Sequence, residues 1–174
     1  GATLTVENTL IVTGVTKKVW TEQYTASSFN AGDYTDSNKW ADSASWTGLP
    51  ANTDSVKALF KVTVTGTAGA SYSVSDTMTI NGANAADPVS NNASGTIPAS
   101  GSVELYYVAE IPVDFGTEQP YTNTASMGQH SASALVTVSK VDYETGSMTL
   151  KKEWDHGTGN LANSEANKAN LDTV

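Results

Sequence analysis

Val15-Thr16-Lys17-Lys18-Val19-Trp20 is a short β-prone run with two lysines held between hydrophobic anchors. The pattern returns near the other end of the chain as Met148-Thr149-Leu150-Lys151-Lys152-Glu153-Trp154. Both copies carry Lys-Lys-x-Trp, and the match extends upstream, with Thr3-Leu4-Thr5-Val6 before the first and Leu135-Val136-Thr137-Val138 before the second. Self-similarity at a fixed spacing is the signature of a tandem array. The spacing here is about one domain. The expected organisation is a leading strand over residues 1–12, which ends a preceding module or serves as a donor strand. One complete module follows over residues 13–141. Residues 142–174 form a linker and the start of a following module, and the chain reads as a piece excised from a longer protein or as a mature form after processing.

Composition narrows the function classes. The 174 residues carry a net charge of −9, and all nine basic residues are lysines. A chain without arginine and with this acidic balance is a poor partner for nucleic acid or for an anionic membrane surface. Cysteine is absent. That removes disulfides, thiolate nucleophiles and zinc–thiolate sites. No run of about 18 apolar residues is present, so no membrane insertion is expected in this segment. Leu49-Pro50-Ala51-Asn52-Thr53 superficially looks like a sorting signal, but it lacks the glycine and the hydrophobic tail and reads as a turn. A composition rich in Thr, Ser, Ala, Asn and Gly suits strands and solvated loops, and fits an extracellular protein with few long charged side chains.

Outward from the opening stretch, the chain reads as strands punctuated by turns. Residues 2–12 alternate and then become apolar, which predicts a strand, and Gly14 predicts a break after it. Residues 56–65 form the clearest β-branched run. Residues 72–78 place Tyr72, Val74, Asp76 and Met78 on one face. Residues 81–100 read as a loop, 103–113 and 132–141 as strands. Tyr121, Asn123 and Ala125 share a face. Residues 21–55 are the least regular, with Trp40 and Trp46 expected to pin an excursion against the sandwich. Asp33, Asp36 and Asp42 lack calcium-loop spacing and read as a solvated acidic loop. Short strands separated by Gly, Pro and Asn turns predict an all-β, immunoglobulin-like antiparallel β-sandwich. No cofactor and no metal site is expected.

Three polar residues then fall on inward faces: Lys18, by parity with the bulky Trp20, together with Asp76 and Asn123. Lys17 is the alternative to Lys18. A buried polar group is costly unless it is partnered. At this point Lys18-Val19-Trp20, Ala58-Leu59-Phe60-Lys61-Val62-Thr63-Val64 with Val74-Ser75-Asp76-Thr77, and Tyr121-x-Asn123-Thr124-Ala125 together resemble the collagen-adhesin-type repeat modules of Gram-positive surface adhesins and pilins. The resemblance covers residues 14–141, except for 21–55, and Leu150 to Asp155 resembles the opening of a further module. It implies an intramolecular isopeptide bond between Lys18 and Asn123, assisted by Asp76, with Glu104 and Glu110 as substitute acids.

The implied chemistry has a physical basis. Burial lowers a lysine pKa and frees a nucleophilic amine, while it raises a carboxyl pKa so that the acid can donate to the Asn123 carboxamide oxygen and make its carbonyl carbon more electrophilic. The event happens once, so no enzyme turnover is expected. The resemblance implies a structural stalk or backbone module, with neighbouring modules or subunits in a head-to-tail array as partners, cell-wall-attached or in a pilus. Asn8 and Lys152 are the corresponding candidates for an inter-module or intermolecular crosslink. Two alternatives remain. One is a ligand-binding adhesin module for host matrix protein or glycan, with Tyr34, Trp40 and Trp46 as an aromatic platform. The other is a filament subunit assembled by donor-strand addition. A hydrolase has little basis: His130 and His156 lie in no nucleophile motif, and no Gly-x-Ser-x-Gly occurs.

Overall fold

The β-branched run at 56–65 becomes the spine of one sheet. The computed structural model describes residues 1–5, 9–78, 87–90 (backbone only), 93–115 and 117–141. The described strands, in chain order, are β1 (Val12–Trp20), β2 (Trp40–Ala41), β3 (Ser43–Leu49), β4 (Ser55–Gly66), β5 (Ser71–Ser73), β6 (Ser75–Met78), β7 (Asp87–Ser90), β8 (Ser94–Thr96), β9 (Ser102–Pro112), β10 (Gln119–Met127) and β11 (His130–Lys140). One sheet has the order β2-β1-β4-β9-β7 and the other β3-β11-β10-β6, with β5 and β8 forming a small two-stranded ribbon. The result is the expected all-β, immunoglobulin-like sandwich. Its pairings are antiparallel apart from β3, which runs parallel to β11.

Alternation decides which side chains fill the space between the sheets. In β4, Val56, Ala58, Phe60, Val62 and Val64 point inward, and β9 answers with Leu105, Tyr107, Ala109 and Ile111. The opposing sheet contributes Ala44, Trp46, Tyr121, Ala125, Ala134, Val136 and Val138. Burying an aliphatic side chain of this size stabilises by about 1.5–3 kcal/mol, so this layer dominates folding. Tyr121 donates its hydroxyl to the Pro112 carbonyl at 2.9 Å and fixes the β9–β10 corner. Asn123 follows two residues on, at the spacing where antibody domains carry a core cysteine.

The sheet containing β4 is also covered on its outer face. Trp20, Tyr24, Leu59 and Tyr106 form a second buried cluster, with Phe29, Tyr34 and Trp40 packed against it. Ring centroids of Trp20 and Trp40 lie 5.2 Å apart, edge to face, and those of Phe29 and Tyr106 lie 4.8 Å apart. Such pairs add about 0.5–1.5 kcal/mol beyond their burial. The covering segment is held by two short 3-10 turns, Ala31–Tyr34 and Ser37–Lys39, capped by the side chains of Asn30 and Asp36.

Several local expectations change. Strand structure begins at Val12, and the described residues before it, 1–5 and 9–11, are not strand. Leu4, Leu10 and Ile11 stay exposed there, so their alternation finds no sheet to join. Gly14 does not break β1. The strand runs through it with a register irregularity between Val12 and Gly14. Residues 72–78 are two strands in different sheets, because the chain crosses at Val74. The 81–100 loop contains β7 and β8. Gly66 is needed where it stands: a Cβ there would lie 2.5 Å from the Ile11 carbonyl oxygen and 2.7 Å from Ile97.

Candidate functional site

The site lies between the sheets, where β1 faces β6 and β10. Lys17 on β1 pairs in register with Val62, and its inward neighbours are Val15 and Val19. Its side chain is fully buried, with Nζ 5.0 Å from the Phe60 ring centroid and 5.6 Å from that of Tyr107. Rings at this range offer a cation their negative faces, but they do not replace water. The compensating charge comes from Asp76 on β6. Lys17 Nζ donates to Asp76 Oδ2, and the Asp76 side chain is itself only 4 % exposed.

Asp76 also holds the third member. Asn123 on β10 is fully buried, and its Nδ2 donates to Asp76 Oδ1 at 2.7 Å and, longer, to the Thr77 carbonyl at 3.4 Å. The register explains the meeting. Ala125 pairs with Asp76 and Asn123 with Met78, so Asp76 and Asn123 are diagonal neighbours on the same face of adjacent strands. The carboxylate therefore bridges amine and carboxamide, one oxygen to each. It meets the nitrogen side of the carboxamide, not the oxygen side that the sequence reading expected. Asn123 Oδ1 and the Tyr107 hydroxyl are both buried without a hydrogen-bond partner.

The lysine assignment is corrected. Lys18, expected inside, points to the outer face, where its Nζ contacts Asp42 at 2.6 Å with 41 % of its side chain exposed. The premise was right and the inference failed: Trp20 is buried, but in the outer aromatic cluster, so sharing its face takes Lys18 away from the core. Glu104 and Glu110 are likewise on the outer face. Glu104 accepts from the Tyr106 hydroxyl at 2.8 Å and lies 3.6 Å from Lys61, while Glu110 accepts from Ser55 at 2.7 Å. Of the three acids considered, Asp76 alone reaches the buried amine. Asn8 and Lys152 lie outside the described residues. Among the described residues, no three His, Asp or Glu side chains are grouped to hold a metal ion, and Asp36 and Asp42 serve as a turn cap and an ion-pair partner.

The electrostatics favour a reactive amine. Burial pulls the Lys17 pKa below its ordinary value, with the charge and hydrogen bond of Asp76 opposing that pull. Loss of the Nζ proton would relieve the desolvation cost of a charged amine at this depth. A neutral amine beside a carboxamide can attack its carbon. The chain matches no family model and none of the curated proteins it was compared with.

Proposed function

We propose that residues 13–141 are a structural stalk or backbone module of a cell-surface adhesin or pilus, stapled by a self-formed amide between Lys17 Nζ and Asn123 Cγ. The observation that carries this reading is the meeting of Lys17, Asp76 and Asn123 in the buried core. Lys17 gives a proton to Asp76, and the freed amine attacks Cγ. Asp76 then returns that proton to Nδ2, which leaves as ammonia, and takes up the second Nζ proton as the amide forms, so the acid ends neutral. One N–C bond forms, one breaks, and no outside reactant is consumed. The resulting amide has no charge to bury.

Its ends are about a hundred residues apart in sequence, a span at which a covalent link stabilises by roughly 4–5 kcal/mol through the unfolded chain. A cysteine-free protein can obtain such a link only by other chemistry. A core that is stable without reducible bonds suits exposure on a cell surface, in an array of neighbouring modules or subunits.

A binding platform built on Trp40 and Trp46 has less support. Trp46 is buried in the inter-sheet core, with its indole N–H on the Thr21 carbonyl, whereas Trp40 packs in the outer cluster. The deciding experiment is an intact mass at isotopic accuracy. The expected value is the sequence mass less one ammonia, with the full mass recovered in Lys17→Ala and Asp76→Ala after allowing for each substitution. A wild-type mass equal to the sequence overturns the crosslink.

A further inference from the structure

Among the described residues, two buried side-chain polar atoms lack a hydrogen-bond partner, and they are complementary in kind: the Tyr107 hydroxyl is a donor and Asn123 Oδ1 an acceptor. Leaving either unmatched away from water is unfavourable, and native cores rarely do so without a use for it. Both belong to the neighbourhood of Asp76. Tyr107 lies on β9, opposite Phe60, and its ring and that of Phe60 cradle the Lys17 ammonium. Burial, and then the charge of Asp76, push its hydroxyl up to about 12, so it keeps its proton.

We propose that Tyr107 is a further catalytic residue of the crosslinking reaction, its hydroxyl donating to Asn123 Oδ1 as the carboxamide carbon becomes tetrahedral. The inference rests on the reading above. When the Lys17 amine attacks Cγ, the carbonyl electron pair moves onto Oδ1. A donor held in a buried site stabilises that developing charge. Collapse then restores the carbonyl and expels Nδ2 as ammonia, carrying the proton returned by Asp76. The Tyr107 proton stays on its oxygen throughout. Asp76 and Tyr107 thus divide the carboxamide, the acid serving the leaving nitrogen and the phenol the oxygen.

Tyr107→Phe tests this, because it keeps the ring beneath Lys17 and removes one oxygen. Intact masses are followed in time after a pulse of expression. The variant is expected to lose ammonia roughly a hundredfold more slowly than wild type, the scale of losing one oxyanion donor, with folded, uncrosslinked protein accumulating. Tyr121→Phe removes a different buried hydroxyl, the one bonded to Pro112, and is expected to close at the wild-type rate. Folding is checked by comparing Lys17→Ala with and without Tyr107→Phe, which should unfold at similar temperatures. Closure of Tyr107→Phe at the wild-type rate, or equal slowing in Tyr121→Phe, overturns the role of Tyr107 and leaves the crosslink standing. A wild type that never loses ammonia overturns both.

Discussion

Lys17 and Lys18 are adjacent on β1, and the two faces of one sheet treat them in opposite ways. On the inner face, Lys17 has aromatic rings and a buried carboxylate for surroundings. On the outer face, Lys18 lies across from Lys61, a like charge, and the repulsion is relieved by Asp42 on one side and Glu104 on the other. Water screens the outer group, and such exposed pairs contribute about 0–1 kcal/mol. The inner group has no such screening, so its charge must be matched or removed. The face, and not the residue type, decides whether a lysine is a solubilising side chain or a buried charge that must be matched.

The largest expected effect comes from the inner lysine. Lys17→Ala should cost on the order of 5 kcal/mol, since it would remove the proposed link and leave Asp76 buried without its partner. The denaturation midpoint reads this, and a loss below about 1 kcal/mol would break the contrast between the faces. Next come Phe60 and Leu59, sequence neighbours that are both fully buried but in different clusters. Phe60→Ala should cost about 3–5 kcal/mol and Leu59→Ala about 2–5. If Leu59→Ala proves nearly neutral by thermal unfolding, the outer cluster is a veneer and not a second core.

A smaller effect is the pH dependence of Asn123→Ala, in which Lys17 remains a free amine. Between its lowered pKa and the ordinary lysine value of 10.5, the unfolded chain holds a proton that the folded one lacks, so stability rises with pH. Above about pH 10 the sign reverses. Tyr107, pushed up to about 12, keeps a proton that an unfolded tyrosine has released. Denaturant midpoints from neutral pH upward should therefore pass through an alkaline maximum. A curve with no rising limb would mean that the lysine stays charged in the core. The smallest effect belongs to Lys18→Ala, which should cost under about 1 kcal/mol, shrink further in high salt and leave the intact mass short by one ammonia.

Much of this was legible in the chain. The β-branched run at 56–65 and the turn residues around it carry the sandwich, and the inward parity of Asp76 and Asn123 survives in the structure. Lys18 misled for a physical reason: alternation gives the parity of a strand but not which face is the core when both are buried. β3 was missed because its outward positions are small and polar and only Ala44 and Trp46 signal the buried side. A Ser-Ala-Ser-Trp alternation was the available clue. Tyr107 gave no sign beyond being one aromatic among several in a strand, since an unmatched hydroxyl becomes visible only once its surroundings are known.

The placement of the two ends of the sandwich has a mechanical consequence. Val12 pairs with Gly66 at one end of β4, while Lys140 reaches the Thr53 carbonyl just before Ser55 at the other. β4 has 12 residues, so chain comes in and goes out at points separated by roughly 40 Å. Tension between these points runs along the strands and loads their hydrogen bonds in shear. With Lys17 joined to Asn123, the force path would follow residues 12–17, cross the link, and continue through residues 123–140. The whole of β4 and β9, and the aromatic cap they carry, would hang outside that path and add no contour length when pulled.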